Sequence, residues 1–332
     1  MALPKIAFIG TGGTIASLGR GPLDLQDYGS IGNVMHAEEI VAKWPVVHQV
    51  AEVIPVKYRN IPSTAIDFAD WKALVALCHQ LPQEHPGLDG IVIGHGTATL
   101  EETAYFLNLT LKTAIPVVLV GAQRPSSALS SDAGMNLVNA IRVAASPDSR
   151  GMGVLVLLND EIHAAREVTK TSTLRLQTFR TPDFGVLGHA DGDAVVYYRQ
   201  PVRRRAPDTE FDISNIDALP RVDISYSYAG ADGTAVRAFV AAGASGIVSA
   251  GFAPGFTPPG EAEALKQAAS QGIVVVQSTR AGSGRTFRST RLKASGLFIA
   301  DNLNPQKARI LLMLALTRSQ DPDEIMRCFR TY

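Results

Sequence analysis

Short apolar runs recur along the first half of the chain, and each ends in polar or glycine-rich residues. They cover Lys5–Ile9, Gly90–Gly94, Pro116–Gly121 and Gly153–Leu158. The runs are continuous rather than alternating, which is typical of strands buried on both faces of a sheet. Segments with helical character lie between them, at Asp70–Gln80, from Thr99 onward, and at about Asp132–Ala145. The pattern predicts a large α/β unit with a mostly parallel sheet.

Two local signals add detail to this unit. Thr99 is followed three residues later by Glu102, which predicts a capping box at the start of a helix. The Asp191-Gly192 pair stands between the short runs Val186–Gly188 and Ala194–Tyr198. Such a pair is typical of a hairpin turn, so we expect two antiparallel strands there.

A stretch without clear periodicity, residues 200–215, predicts a linker, and a second rhythm follows it. Strands are expected at Val222–Tyr226, Gly246–Ala250 and Ile273–Gln277, and helices at Gly233–Ala242 and Gly260–Gln271. This βαβαβ order implies a parallel, right-handed unit. The last predicted helix begins with Asn304 as cap and Pro305 at its first position. We therefore predict domains at 1–199 and 216–332.

Composition narrows the classes of partner. The 332 residues are 46% hydrophobic and 19% charged, with 31 Lys+Arg against 31 Asp+Glu. A net charge of zero gives no electrostatic footprint for nucleic acid or an anionic membrane. The basic cluster Arg203–Arg205 lies in the predicted linker, where a solvated segment is favoured over a binding site. No apolar run approaches the roughly 20 residues of a membrane span. We expect no nucleic-acid and no membrane partner.

Cysteine and histidine give no sign of a metal site or a disulfide framework. Cys78 and Cys328 form no CxxC pattern, and the seven histidines show no ligand spacing. Met1 leads almost directly into the strand at Lys5, which leaves no room for a signal peptide. These features predict a metal-free protein of the reducing cytoplasm.

Two of the predicted strands end in glycine-rich loops that carry hydroxyls, Gly10–Thr14 and Gly94–Thr99. Open α/β sheets bind ligands at the carboxyl ends of their strands, so paired threonine loops suggest nucleophilic chemistry. A dinucleotide fingerprint is disfavoured because Ile15 stands where it needs glycine or alanine, and a P-loop lysine is missing. A simple glycine turn remains an alternative for the first loop.

A lysine offers a base for these hydroxyls. Lys170, within Val168–Thr171, carries an amine that could lose its proton if it were desolvated beside a hydroxyl such as Thr97. An ordinary surface lysine is the commoner case. His95 follows an apolar strand, where a structural hydrogen bond is favoured over catalysis.

These motifs resemble the bacterial L-asparaginase/glutaminase family. The matching segments are Thr11–Ala16, His95–Leu107, Val117–Ser126, Asn159-Asp160, Val168–Thr171 and Asn304–Leu312. They span nearly the whole chain in the family's order. The resemblance implies a larger and a smaller α/β domain, a small-molecule amide substrate, and no metal or organic cofactor. It also implies a homotetramer, a dimer of dimers in which a neighbouring subunit completes each site.

By the same resemblance, Thr14 corresponds to the primary nucleophile and Tyr28 to a tyrosine on a flexible active-site loop. Thr97 and Lys170 correspond to the second threonine and its lysine, and Ser63 to a serine that holds the substrate α-carboxylate. We expect backbone N–H groups of the loops around Gly13 and Gly96 to stabilise an oxyanion.

Several positions depart from the family's pattern. The aspartate that grips the substrate's α-ammonium is Ala98 here, and a glutamine that follows the carboxylate-binding serine is Thr64. In the smaller domain an asparagine falls on Pro254 and a partner's glutamate near Ser289. The neighbouring charges are all cationic: Arg280, Arg285, Arg288 and Arg291.

These changes bear on the substrate. An ammonium has three donors and no acceptor. Burying even an uncharged polar group without partners costs roughly 2–7 kcal/mol, and a charge costs more. We therefore predict an amidohydrolase of the asparaginase fold whose substrate lacks a free α-amino group. One alternative is an ordinary L-asparaginase/glutaminase in which water or a shifted acid fills the gap. Another is a binding or sensor protein that has lost turnover.

Overall fold

The computed structural model describes residues 2–332, apart from the side chain of Arg291. The chain forms two compact units, a first that extends to Glu210 and a second over Phe211–Tyr332. The first contains an eight-stranded sheet in the order β10-β9-β6-β5-β4-β3-β1-β2. Its strands are β1 Lys5–Gly10, β2 Glu52–Val56, β3 Gly90–Gly94, β4 Val117–Val120, β5 Val154–Leu158, β6 Glu161–Ala164, β9 Gly188–Ala190 and β10 Val195–Tyr197.

The centre of this sheet is parallel and fully buried, as the continuous apolar runs predict. β1 pairs in parallel with β2 and β3, and the parallel order continues through β4 to β5. Every residue of β3, β4 and β5 is buried. The far edge, β6, β9 and β10, is antiparallel. The predicted hairpin is confirmed as β9–β10.

Helices cover both faces of the sheet. They are α1 Tyr28–Ile31, α2 Ala37–Lys43, α3 Phe68–Glu84, α4 Leu100–Thr110 and α5 Ala133–Ala145. Ile40 of α2 and Leu137 and Ile141 of α5 share one apolar cluster with Phe8 and Leu155 of the sheet. α4 packs on β4 and β5 outside this cluster, and α3 packs on α4. The burial of both faces explains why the strands carry no polar alternation.

A separate two-stranded ribbon lies between β6 and β9 along the chain. β7 (Thr169–Lys170) pairs antiparallel with β8 (Phe179–Arg180), so that Lys170 lies opposite Phe179. Thr171 extends the pairing through a backbone hydrogen bond to Thr178 of 2.8 Å. The ribbon fixes the backbone of Lys170.

The predicted capping box at Thr99 is wrong. Its hydroxyl makes no capping bond to the start of α4. It donates instead to the backbone carbonyl of Ser63, at 2.7 Å. The hydroxyl therefore serves a tertiary contact that the local sequence does not reveal.

The second unit is a parallel sheet in the order β11-β12-β13-β14. Its strands are β11 Val222–Tyr226, β12 Gly246–Gly251, β13 Val274–Thr279 and β14 Phe298–Ile299, and its helices are α6 Thr234–Ala241, α7 Pro259–Ser270, α8 Thr290–Ala294, α9 Pro305–Leu316 and α10 Pro322–Thr331. The Asn304 side chain accepts from Lys307 N at 3.1 Å, so the predicted cap is confirmed. α10 follows α9 and was not predicted.

The basic cluster of the predicted linker is less solvated than expected. The Arg205 guanidinium donates to the carbonyls of Gly151, at 2.8 Å, and Pro201, at 2.7 Å. Burial lowers the pKa of Arg205. This arginine therefore fastens the segment to the first unit.

Of the helices that the structure describes, none is both long and apolar enough to cross a membrane.

Candidate active site

The first threonine loop begins where β1 ends. Thr11 N donates to Gly94 O at 2.9 Å, which ties the ends of β1 and β3 together. Gly13 has φ of 82°, a left-handed conformation that side chains rarely adopt. The chain then enters a short 3₁₀ turn, Thr14–Ala16, which presents the Thr14 side chain.

Close contact of three loops explains the glycines. A β-carbon on Gly13 would overlap the Cα of Gly96. One on Gly96 would lie 2.5 Å from Ser63 Oγ. The two threonine loops and the serine loop thus meet at positions where only hydrogen fits. The structure brings Gly13, Gly96 and Ser63 together, as the resemblance implies.

Thr14 and Tyr28 form the first hydroxyl pair. Their side-chain oxygens lie 2.9 Å apart, and either can be the donor. Both side chains are half-buried. Tyr28 begins α1, which follows a loop organised by Asp24. The Asp24 carboxylate accepts from Arg20 N at 3.1 Å and Asp27 N at 3.0 Å.

Thr97 and Lys170 form the second pair. The Lys170 Nζ lies 2.8 Å from Thr97 Oγ1. Thr97 is buried, with 7% of its surface exposed. The two residues are 73 positions apart, and the β7–β8 ribbon and the end of β3 bring them together. The alternative of a solvated surface lysine does not hold.

Burial and one acid set the charge balance of Lys170. Burial lowers the pKa of its amine, because the ammonium loses water, and the carboxylate of Glu101 acts in the opposite direction. The Glu101 Oε1 atom accepts from Thr169 Oγ1 at 3.1 Å and from Lys170 N at 3.3 Å. Glu101 therefore holds the backbone of β7, and its negative charge partly offsets the lowering of the Lys170 pKa by burial.

His95 is a core residue of the second loop. Its side chain is fully buried, and Nδ1 lies 2.8 Å from Gly96 O. Burial lowers its pKa to about 4, with a smaller opposing effect from that carbonyl. A neutral imidazole bonded to backbone matches the structural role expected for it.

The proposed substrate-binding residues differ in exposure. Ser63 is buried, whereas Thr64 and Ala98 are exposed. Ala98 presents a methyl group where the family pattern has a carboxylate. Thr99, two residues after Thr97, holds the Ser63 carbonyl.

In the second unit, two of the cations named above have partners within the chain. The Arg280 guanidinium lies 4.6 Å from the ring centroid of Phe252 and donates to Ser227 O at 3.0 Å. Arg285 pairs with Asp301 at 3.1 Å. The Arg291 side chain lies outside the described part of the chain. Ser289 lines a cavity of about 290 Å³ beside α7 and α8.

Three polar side chains around the Thr97–Lys170 pair in the first unit were not predicted to contribute to it: Glu101, Thr99 and Gln123. Gln123 Oε1 lies 3.5 Å from Lys170 Nζ. Its position three residues after the last residue of β4, at the carboxyl edge of the sheet, is the signal that could have found it. The described residues contain no group of three or more His, Cys, Asp or Glu side chains that could hold a metal ion.

The fold and these side chains define a two-unit α/β protein with threonine hydroxyls and a half-buried lysine at the ends of parallel strands. Residues 5–203 match the family described as Asparaginase, N-terminal, and residues 221–329 match the Glutaminase/Asparaginase C-terminal domain. The chain belongs to the asparaginase family and is an amide hydrolase.

Relatives along the full length agree. L-asparaginase 2 of Bacillus subtilis (strain 168) is 41% identical, over 99% of this chain and 87% of that protein. L-asparaginase 2 of Escherichia coli (strain K12) is 40% identical, over 100% and 94%. The crystal structure of a probable cytoplasmic L-asparaginase from Campylobacter jejuni superimposes with a TM-score of 0.94 at 38% identity, over 99% of this chain and 100% of that one.

Proposed function

We propose that this chain hydrolyses a carboxamide through Thr14, assisted by a proton relay through Thr97 and Lys170. The observation that carries the proposal is the 2.8 Å contact between the Lys170 amine and Thr97 Oγ1 in a largely buried setting. A hydroxyl is a weak nucleophile and needs a base, and a desolvated amine is one.

The reaction balances as two acyl transfers. Thr14 Oγ1 attacks the amide carbon while the Tyr28 hydroxyl, 2.9 Å away, takes up its proton and passes its own proton to the amide nitrogen. Backbone N–H groups of the loops around Gly13 and Gly96 would stabilise the oxyanion. The carbon–nitrogen bond breaks and the nitrogen leaves as ammonia with that proton. Water then attacks the acyl-enzyme and gives a proton through Thr97 to Lys170, and this proton returns to Thr14 Oγ1 as the acid is released. The products are a carboxylic acid and ammonia.

We further propose that the substrate lacks a free α-amino group. Ala98 offers no acceptor beside Thr97, and Thr64 replaces an amide oxygen with a hydroxyl. An α-ammonium would therefore lose acceptors that a carboxylate and a glutamine supply. Hydrolysis of L-asparagine itself is the competing proposal, because the similar proteins are called L-asparaginases.

The test compares L-asparagine with succinamate, its analogue without the amino group, by ammonia release. We expect kcat/KM to favour succinamate by tenfold or more, since one lost charged contact is worth about 1.5–3 kcal/mol. Ala98→Asp should move this ratio toward asparagine, whereas Ala98→Ser, which adds no charge, should leave it nearly unchanged. A clear preference of the unaltered chain for asparagine would contradict the proposal.

Two further proposals concern the setting of the enzyme. We propose a homotetramer in which a neighbouring subunit completes each site, on the family resemblance alone. We also propose a cytoplasmic location, on the absence of a disulfide framework in the sequence. The similar Campylobacter jejuni protein is called cytoplasmic, whereas a 40% identical relative from Haemophilus influenzae is called periplasmic.

A further inference from the structure

Gln123 lies at the edge of the Thr97–Lys170 pair and has no role in the steps above. It follows the end of β4, two residues after Gly121, whose missing side chain leaves room for Thr97. A β-carbon on Gly121 would lie 2.9 Å from Thr97 Cγ2. The Gln123 Oε1 atom lies 3.5 Å from Lys170 Nζ, at the long end of a hydrogen bond. Such contacts often tighten when a substrate binds.

The chemistry of lysine fixes which way this amide points. In its ammonium form Lys170 only donates, so in that form the side-chain carbonyl oxygen of Gln123 faces Nζ. The amide nitrogen then points away. It is buried and makes no hydrogen bond to any residue that the structure describes. A buried donor without a partner is destabilising, and an apolar side chain of similar size would avoid that cost. The contact with Lys170 is what glutamine adds at this position.

The backbone of Gln123 is firmly held. Asp132 accepts from Gln123 N at 2.9 Å and from Arg124 N at 2.9 Å. Asn136 donates to the same carboxylate at 3.1 Å and to Gly121 O at 3.0 Å. The Gln123 side chain therefore starts from a fixed backbone, and its buried amide nitrogen shows that its end is not a solvated surface group.

The Nζ atom thus has two neutral oxygens as neighbours, Thr97 Oγ1 and Gln123 Oε1. Glu101, on α4, is the charged group that acts on it, and its Oε1 is engaged by Thr169 and the backbone of Lys170. The position beside Thr97 that would add a second carboxylate is Ala98. Neutral acceptors favour an ammonium less than carboxylates do.

We propose that Gln123 is a positioning residue: its Oε1 anchors one N–H of Lys170 without adding charge, so that the neutral amine can turn its lone pair to the Thr97 hydroxyl. The contacts suit both protonation states. As an ammonium, Lys170 donates to both oxygens. As an amine, it donates to Gln123 and accepts from Thr97. The inference rests on the proposed function in assigning Lys170 as base.

Two substitutions separate anchoring from charge. Gln123→Met keeps the bulk and removes the acceptor. Gln123→Glu keeps the shape and adds a carboxylate. Kinetics with succinamate and L-asparagine as probes should show Gln123→Met lowering kcat about tenfold with KM within about twofold, since ordering a base changes the chemical step. Gln123→Glu should raise the pH at which kcat/KM is half-maximal by about one unit or more, because a nearby carboxylate favours the ammonium. Gln267→Met, an exposed glutamine on α7, is the control and should change neither.

A titration without turnover tests the same point. In protein labelled with ¹³Cε-lysine, the Lys170 signal is identified by its loss in Lys170→Met. We expect its midpoint to move to higher pH in Gln123→Glu by about one unit or more. An unmoved midpoint, or full kcat in Gln123→Met, would overturn the inference. If neither probe is cleaved, the proposed function fails on those substrates, while the lysine titration still decides the role of Gln123.

Discussion

The two threonine pairs of the first unit differ in partner and in surroundings. Thr14 meets another hydroxyl, that of Tyr28, and both side chains are half-buried. Thr97 is buried and meets the amine of Lys170. Two hydroxyls can pass a proton along but hold no strong base, whereas a desolvated amine can take one. The difference suggests a division of labour, with an accessible nucleophile in one pair and a shielded base in the other.

The loops that hold the two pairs also differ in how exposed they are. The loop before Tyr28 is organised by Asp24, and backbone N–H bonds, chiefly that of Arg20, lower the pKa of this exposed carboxyl. The loop before Thr97 contains the fully buried His95. One pair therefore depends on surface hydrogen bonds and the other on the core. We expect the second to be the more rigid before substrate arrives.

The largest expected effect breaks the first pair. Thr14→Ala should lower kcat on the better of succinamate and L-asparagine by at least about 10³-fold, because no covalent intermediate can form. Its thermal midpoint should stay close to that of the unaltered chain, since the lost hydrogen bond is worth only about 1 kcal/mol. Ammonia release and thermal unfolding, measured on the same samples, check both statements.

Matched variants decide whether the division of labour holds. Thr14→Ser keeps a hydroxyl and should retain part of the rate. Thr97→Ala should also be slow, because it removes the hydroxyl through which Lys170 acts. A fast Thr14→Ala beside an inactive Thr97→Ala would reverse the roles and place the nucleophile in the buried pair.

The next effect concerns stability and tests whether the loop before Thr97 is held in the core through His95. The pKa of His95 is about 4 in the folded chain, against 6.5 for an ordinary histidine. Between these values the unfolded state binds more protons, so stability falls as pH falls. The integrated loss from this residue is about 3 kcal/mol between pH 7 and pH below 4. Urea unfolding at several pH values should show that His95→Gln lacks this part of the slope.

His48→Gln provides the control for that slope, because His48 is exposed. It should leave the pH dependence of unfolding unchanged. Equal slopes in His95→Gln and the unaltered chain would mean that the second loop is not anchored through a neutral buried imidazole.

The strands followed from the sequence wherever burial alone determines them. β3 has the predicted bounds because an apolar run with both faces covered needs no further information. β2 was missed, since Pro55 cannot donate to a ladder and argues against a strand. The structure accepts this proline because β2 lies at the edge of the sheet. An edge position is a property of the whole fold, so no local pattern reveals it.

The candidate site was less open to prediction from residues alone. Thr97 and Lys170 were paired by resemblance, because nothing local links positions 73 apart. Gln123 was missed, since a glutamine after a strand has many uses and its contact with Lys170 exists only once the β7–β8 ribbon is in place. Whether these residues act as proposed stays a prediction.

The smallest expected effect tests whether the loop that carries Ser63 acts together with the Thr97–Lys170 pair. Thr99 has the sequence of a helix cap, yet its hydroxyl donates to Ser63 O at 2.7 Å. Thr99→Val removes that bond at nearly constant volume. We expect KM for succinamate to rise up to about fivefold, the equivalent of about 1 kcal/mol, with kcat unchanged, because the family resemblance assigns Ser63 to binding of the substrate carboxylate.

Thr110, the last residue of α4, provides the comparison for this change. The Thr110 hydroxyl donates to Phe106 O at 2.8 Å within the helix. Thr110→Val should cost similar stability without altering KM, since its bond lies within one helix, whereas the Thr99 bond joins the residue before α4 to Ser63. If both variants leave KM unchanged, Ser63 is held by the close contact of Gly96 with its side chain alone. The Thr99 bond would then be a fold contact with no share in substrate binding.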